Sequence, residues 1–442
     1  MNAAGKTSLT LFEHEAAEYN WTDQELEHLE KLSRLAGAEV LRATTSNRKR
    51  ALKATQHIGV FCFGQTTVQV LPKMYRSYET EAEREREAVQ NVLFLLHYAL
   101  QLSVREHGVA LLTEQPHDWF EGLISIFTRH LLEEWQHGPF RHYQEMRDTL
   151  PLLKGKLDVP AQLRHPESRH RFTVIYDEYT ADVPLNRVFR FVVERLWHIT
   201  RNEQNKLQLA RLRQWMEEIT LLPRMTVAQS QAIVLTRLNQ RFASLLELAR
   251  LFLDDGALQL APGNISTYAF MLDMNQLFES FLTHFICCHR REILPASLQQ
   301  CELRPQSIGS TRYLATDLTN SRQMFHLKPD LVMYDRERKC FPLLIDMKYK
   351  SLDSKSGANR ISPGDFYQMF AYAHRYSCPR ILLLYPQTAD LPQPMKQAFK
   401  LQSDEKVIVA ATVDLRQNLV RKEEQQRLKQ TLKSLITPEV DR

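Results

Sequence analysis

The stretch His326–Lys350 reads HLKPDLVMYDRERKCFPLLIDMKYK. Two strand-like runs, DLVMYD and FPLLIDMKYK, flank a charged RERK turn, which is the pattern of a β-hairpin. Asp330, Asp346 and Lys348 stand in these otherwise apolar runs, and a buried charge is costly unless something pairs with it. A turn centred near position 338 sets Asp330 opposite Asp346 in an antiparallel ladder, where opposed Cβ atoms lie about 4.5–5.5 Å apart. Alternation along the strand sends Asp346 and Lys348 to one face and Met347 to the other. Two acids and one amine therefore converge. Pro342 cannot donate to a ladder and points to an edge strand or a bulge, which leaves the register open by one residue.

Two carboxylates so close repel unless a cation joins them, and an all-oxygen set suits Mg²⁺ or Mn²⁺. A neighbouring lysine can orient or help deprotonate an attacking water and offset charge on a pentacovalent phosphorus, as in metal-assisted phosphodiester hydrolysis. The competing reading is a surface hairpin with solvated charges.

Three further stretches bear on the choice. In NQLFESFLTHFICCHR (275–290) the apolar residues Leu277, Phe278, Phe281, Leu282, Phe285 and Ile286 share one helical face. Glu279 stands at its edge, either as a further metal oxygen or water-fixing acid or as an ordinary boundary glutamate. In DFYQMFAYAHRY (365–376), Gln368 and Tyr372 lie four apart on one helical face, placed to touch a phosphate or a metal-bound ligand. Alternatively Asp365 and Gln368 form a capping box after Pro363 and Gly364. The run RILLLYP (380–386) fits a buried strand after that helix.

A helix with Glu279, a hairpin with Asp330, Asp346 and Lys348, a helix with Gln368 and Tyr372, and then a strand resembles the core of the PD-(D/E)XK nucleases. Much of the chain also resembles the McrC subunits of the McrBC (5-methylcytosine-specific, GTP-dependent) restriction systems. The similar stretches are IGVFCFGQTTVQVLPKMY (58–75), LLKGKLDVPAQL (152–163), DVPLNRVFRFVVERL (182–196), NQLFESF, and the PD…DMKYK hairpin with YQMFAY beyond it. The resemblance implies a Mg²⁺- or Mn²⁺-dependent endonuclease subunit acting on double-stranded DNA beside an AAA+ GTPase that its N-terminal region engages and stimulates. In that reading Asp330, Asp346 and Glu279 hold the metal, Lys348 handles the water or the transition-state charge, and Gln368 with Tyr372 positions substrate. A stand-alone repair nuclease and a non-catalytic assembly adaptor are the alternatives.

Composition agrees with an ordinary globular protein. The chain has 442 residues, 43% hydrophobic and 25% charged, with a net charge of +5 that permits nucleic-acid contact without requiring it. The six cysteines form no CxxC pair, so neither a zinc site nor a disulfide framework is expected. Cys287, Cys288 and His289 are adjacent and point apart on a helix, which reads as buried free thiols. GKTS (5–8) lacks the earlier glycine and launching strand of a phosphate-binding loop, so nucleotide hydrolysis is expected from another chain. The opening MNAAGKTSLTLFEHE is not a signal peptide, and no apolar run reaches membrane-spanning length. A cytoplasmic location without membrane contact is expected.

These patterns predict an α/β chain, α+β overall. A β-rich N-terminal domain (1–83), with Gly59 and Gly64 at turns or bulges, precedes a mainly helical partner-docking region (84–260). A nuclease domain (261–442), with a central mixed sheet flanked by helices, follows the linker candidate LAPGNIST (260–267). A polar strand-like section is expected at 154–182 and a solvent-facing helix at the charged C-terminal tail. The basic clusters SNRKRALK (46–53) and RHPESRHR (164–171) read as solvated faces or as contacts to DNA or the GTPase. Asn186 and Arg187 read as a helix cap and a surface ion pair.

Overall fold

The computed structural model describes residues 7–20, 22–36, 41–46, 49–55, 57–63, 66–75, 81–100, 119–164, 170–254, 258–260, 268–352, 361–402 and 405–437. The chain is mixed α and β and divides into two compact units, one of Met1–Gly122 with Gln259–Arg442 and one of Leu123–Leu258.

The N-terminal strands are β1 (Thr7–Phe12), β2 (Ala16–Glu18), β3 (Leu41–Ser46), β4 (Lys49–Ala54), β5 (Ile58–Phe63) and β6 (Thr66–Leu71), with a helix at Asp23–Ala36. Strands β2, β4 and β3 make a small antiparallel sheet. The apolar run IGVFCF of β5 is buried throughout, as a central strand requires.

In the second unit β7 (His142–Leu150), β8 (Lys156–Leu157) and β9 (Phe172–Thr180) form a sheet in the order β7-β9-β8. The predicted strand-like section supplies β8 and β9. Their partner HYQEMRDTL gave no sequence signal, because it is polar on both faces and largely exposed. Phe189 of helix Pro184–Ile199 packs 5.8 Å from Phe242, the residue that caps helix Ala243–Leu253. Asn186 does not cap its helix. Val183 occupies the cap position, while Asn186 is buried and donates to the carbonyls of Phe140 and Ala181, both at 2.7 Å. Arg187 does form its ion pair, at 2.7 Å from Asp182, whose carboxylate also accepts from Thr220. These hydrogen bonds hold the Asp182 carboxyl down at about 2, against the opposing effect of burial.

Strands β10 (Leu258–Leu260) and β11 (Tyr268–Leu272) complete the first sheet, in the order β1-β6-β5-β11-β10. This pairing overrides the boundaries expected at 83 and 260: β11 lies antiparallel on β5, so sequence on both sides of 260 shares one core. Helix Glu81–Ala99 adds to that core. Its Phe94 meets Phe281 at 6.0 Å, and its buried Asn91 donates to Gln417 O and accepts from Leu419 N. The linker residues 261–267, and Gly64, lie outside the described residues. Gly59 sits within β5 rather than at a turn: a Cβ there would stand 2.3 Å from Phe270 O, so the close approach of β11 demands glycine.

The remaining strands are β12 (Glu302–Pro305), β13 (Arg312–Thr316), β14 (Gln323–Leu327), β15 (Leu331–Asp335), β16 (Cys340–Met347), β17 (Arg380–Pro386), β18 (Lys396–Lys400) and β19 (Val407–Val413). Six of them form a mixed sheet in the order β12-β15-β16-β17-β19-β18. Leu331 pairs with Ile345 and Met333 with Leu343, but Asp335 pairs with Cys340, so Phe341 and Pro342 together face Tyr334 in a bulge. Strand β16 lies between β15 and β17 and is not an edge. The C-terminal helix Lys422–Ile436 buries Leu428, Leu432, Leu435 and Ile436, so only part of it faces solvent. Its charged composition hid this apolar stripe.

Substituting Gly59→Ala should lower the urea midpoint by the equivalent of about 1–3 kcal/mol, the usual cost of overpacking. Gly364→Ala is the control. Its Cβ would meet nothing nearer than Ser362 Oγ at 3.6 Å, and the midpoint should hold or rise. Equal midpoints for wild type and Gly59→Ala would contradict the role given to β11.

Candidate functional site

Asp330 precedes β15 by one residue, and its Oδ2 accepts a 2.6 Å hydrogen bond from Met347 N. The ladder of β15 and β16 thus continues through a carboxylate, directly beside Asp346. Asp346 is buried in β16, with Oδ2 2.7 Å from Lys348 Nζ, and neither of its oxygens has an aligned hydrogen-bond donor. Lys348 leaves the sheet with its backbone N bonded to Leu384 O at 2.8 Å, which fixes where the amine begins.

The electrostatics follow from this burial. Asp330 is raised above the ordinary carboxylate range by burial first, then by the charges of Asp346 and Glu279. Asp346 is also raised by burial, although Lys348 opposes the shift. Burial works against the Lys348 charge, but Asp346 outweighs it and keeps the amine above its usual value. Burial and mutual repulsion thus favour the protonated form of the pair, and Asp346 Oδ1, which has no hydrogen-bond partner, fits a cation that would offset that repulsion.

Glu279 projects from helix Met274–Cys288 and accepts from Gln306 Nε2 at 3.4 Å. Gln306 also bonds Asp330 O through its backbone N at 2.7 Å, so this loop residue links the two acids. It holds a left-handed φ of 49°, a conformation that costs a residue with a side chain. No sequence signal marked it. Among the described residues no three His, Cys, Asp or Glu side chains gather into a ready ligand cage. A Mg²⁺ ion needs no such cage, because it keeps several waters and takes one or two carboxylates.

On helix Pro363–Arg375, Gln368 Nε2 donates to Tyr372 Oη at 2.8 Å. Tyr372 is buried, and its hydroxyl is raised by that burial and by the nearby charges of Asp346 and Asp330. The expected capping box is displaced by one turn. Ser362 is the cap and accepts from Asp365 N at 3.3 Å, because the helix begins at Pro363 rather than after it. Asp365 is freed for another use: its Oδ1 lies 2.7 Å from Lys350 Nζ, and its Oδ2 accepts from Tyr385 Oη at 3.1 Å. This second acid–amine pair went unrecognised, although Lys350 stands two residues beyond Lys348 and shares its alternation.

The LPKMY element also meets the hairpin. Tyr349 Oη donates to Glu13 Oε2 at 2.6 Å, Lys73 N donates to the same oxygen at 2.9 Å, and Lys73 Nζ lies 4.8 Å from the centre of the Tyr349 ring. The Tyr349 ring packs 5.9 Å from Phe278, the neighbour of Glu279. A buried anchor thus grips the residue after Lys348.

The other candidates stand apart. All six cysteines are free, Cys288 is exposed rather than buried, and His289 is occupied by Tyr98 at 2.9 Å. In the first basic cluster Arg50 and Lys53 are exposed on β4, while residues 47–48, and 165–169 of the second, lie outside the described residues. Among the described residues no helix is long and apolar enough to cross a membrane.

Comparison with known proteins gives the family of the chain. A family model described as "McrBC 5-methylcytosine restriction system component" matches residues 52–386. A solved half-complex from a tetradecameric assembly of Thermococcus gammatolerans McrB AAA+ hexamers with bound McrC contains a chain of similar fold, 23% identical with a TM-score of 0.65. The match covers 97% of this chain and 100% of that one. A cryo-EM structure of the Thermococcus gammatolerans McrBC complex matches at 24% identity and a TM-score of 0.49, over 65% of this chain and 89% of that one. No curated protein matches. The family match spans the LPKMY element, the Pro184–Ile199 helix and the whole Asp330–Asp346–Lys348 hairpin, and the chain belongs to the McrBC 5-methylcytosine restriction system component family.

Proposed function

We propose that this chain is the endonuclease subunit of a GTP-dependent, McrBC-like restriction system, with a PD-(D/E)XK site that hydrolyses phosphodiester bonds in duplex DNA. The observation that carries the reading is the buried Asp330–Asp346 pair with Lys348 beside it, an arrangement that costs stability and whose repulsion a divalent cation would relieve.

Asp330 and Asp346 would hold Mg²⁺ or Mn²⁺, which supplies Lewis acidity toward a phosphodiester and lowers the pKa of an attacking water. Lys348 stays charged beside Asp346, so it serves as a donor to developing phosphoryl charge rather than as a base. Glu279, tied to Asp330 through Gln306, fixes a water near the pair. Gln368 and Tyr372 hold one another and position substrate.

The partner in this reading is a McrB-like AAA+ GTPase, in line with the solved assembly of McrB AAA+ hexamers with bound McrC. The second unit offers a surface for it. Its β7-β9-β8 sheet exposes Tyr143 and Tyr179, paired across the strands, and beside them in sequence Leu152 and Leu153 of the β7–β8 connection and Leu163 of the short helix Val159–Arg164 are exposed as well. Exposed apolar groups of this kind mark an interaction site.

Asp346→Asn and Lys348→Ala should each reduce duplex cleavage by at least about 100-fold while leaving the circular-dichroism spectrum intact. Full cleavage by either variant would remove the hairpin from the chemistry.

The pH response has a definite sign. Because the folded carboxylates are raised, the metal-free fold is most stable below about pH 3.9 with respect to this pair, and loses that contribution as pH rises through the raised values. Mg²⁺ needs the ionised pair, so its stabilisation grows over the same window. Thermal midpoints with Mg²⁺ and with EDTA, from about pH 5 to about pH 9, should diverge as pH rises in the wild type but not in Asp346→Asn. A Mg²⁺ increment that is constant with pH, or kept by Asp346→Asn, would place the metal elsewhere.

The full chain should raise GTP turnover of a McrB-like partner and cut duplex DNA only with that partner and GTP. Tyr143→Ser combined with Tyr179→Ser should weaken the stimulation while sparing the Mg²⁺ increment. Undiminished stimulation would move the docking surface off this sheet, and cutting by the chain alone at the same rate would make it a self-sufficient nuclease.

A further inference from the structure

Strands β13 and β14 pair with one another in a two-stranded ribbon outside the six-stranded sheet. From Thr311 to His326 every residue except Tyr313 and Asp317 is exposed, so the ribbon adds almost nothing to a core. An isolated two-stranded hairpin is marginal in water, yet this one is firmly held at its base. Arg375 Nε donates to Tyr313 O at 2.6 Å and Tyr376 Oη donates to Leu327 O at 3.2 Å. Both anchors come from the end of the helix that carries Gln368 and Tyr372. Beyond Leu327 only Lys328 and Pro329 intervene before Asp330.

The exposed groups are of two kinds. Arg312, Arg322 and Lys328 are exposed cations, against the single acid Asp317. The Asp317 carboxylate is turned inward on its own turn, accepting from Thr319 N at 2.8 Å, and that bond lowers its pKa. Leu314, Leu318, Met324 and Phe325 are apolar and stand in solvent, with Leu318 at the tip 97% exposed. Phe325 holds a left-handed φ of 59°, a strained conformation for a bulky residue, while its ring is 68% exposed.

We propose that this ribbon enters a groove of duplex DNA and sets which phosphodiester reaches Asp330, Asp346 and Lys348; the proposal rests on the nuclease reading above. A two-stranded β-ribbon fits the major groove, and five residues of strand span about 17 Å, enough to follow its floor. The excess of cations matches phosphates flanking the groove, and the exposed apolar side chains match thymine methyls or an opened base step. Because the ribbon leads into Asp330 within three residues, its seating fixes the distance from groove to scissile bond. The cation excess stands within a few residues of the acid that a phosphodiester must reach, which favours the substrate itself as the occupant.

The test uses the full chain with its GTPase partner and a variant combining Leu318→Asp with Arg322→Glu, both on the exposed ribbon and away from any core. Four quantities are read: affinity for a short duplex in Ca²⁺ across a salt series, Mg²⁺-dependent cleavage, GTP stimulation, and the Mg²⁺ increment in thermal midpoint. Duplex affinity should fall at least about tenfold, the salt slope should shrink by about one, and cleavage should fall with it, while GTP stimulation and the Mg²⁺ increment stay at wild-type level. Arg322→Lys, which keeps the charge, should bind like the wild type. Unchanged affinity and cleavage in the double variant would overturn the proposal, as would lost GTP stimulation with DNA binding intact, which would make the ribbon a protein-docking element. If the wild type fails to cleave but its DNA binding still depends on the ribbon, the nuclease reading fails and the groove contact stands.

Discussion

The contact on which the rest of the structure depends is the hydrogen bond from Met347 N to Asp330 Oδ2. It places a carboxylate where a backbone carbonyl would continue the ladder, and so sets Asp330 against Asp346 at the end of two central strands. Burying two like charges is among the costliest things a sheet can do. The surrounding residues show how the cost is contained. Leu331, Val332, Leu344, Ile345 and Leu383 are fully buried and leave the strands no freedom to splay, while the Lys348 amine, 2.7 Å from Asp346 Oδ2, moderates the repulsion. The bulge at Phe341 and Pro342 lies at the far end of the hairpin, so the added twist there leaves the register at the acids undisturbed.

That constraint explains why the first unit is assembled from both ends of the sequence. Lys348 must leave the sheet in a defined direction, and the residue after it is gripped by Glu13 and Lys73, from the connection after β1 and from the LPKMY element. Helix Met274–Cys288 supplies Glu279 and, through Phe278, the other wall for Tyr349. A nuclease-like sheet folded alone would lack this grip. The pairing of β11 on β5, with glycine at the point of contact, joins the two halves, and Asn91 repeats the joining at the loop after β19.

Much of this was legible in the sequence for reasons that can be named. Strand alternation and turn position set Asp330 opposite Asp346 to within one residue, and the apolar run of β17 and the apolar face of helix Met274–Cys288 followed from pattern alone. What escaped was set by contacts distant in sequence. Nothing local tells that Gly59 must admit Phe270, that Gln306 must link Glu279 to Asp330, or that Asn186 faces inward to two carbonyls. The alternative reading of Asp365 as a cap arose because a proline and a glycine before an acid resemble a helix start, whereas Ser362, just before that proline, serves that purpose. The polar strand β7 and the ribbon β13–β14 escaped because neither buries a face, and periodicity reports only burial.

Those exposed elements and the buried acids obey opposite rules, and the contrast is informative. The acid pair is precise because packing leaves it no alternative, and it costs stability for the same reason. Strands β7 and β9 and the β13–β14 ribbon cost little to vary, since few core contacts depend on them, yet they keep tyrosines, leucines and two phenylalanines in solvent, where polar residues would be favoured. A chain free of outside demands would bury or replace such groups and would fill the Asp330–Asp346 site with apolar side chains, gaining stability in both places. In the proposed function those demands are met by a cation at the acid pair and by other molecules at the exposed strands.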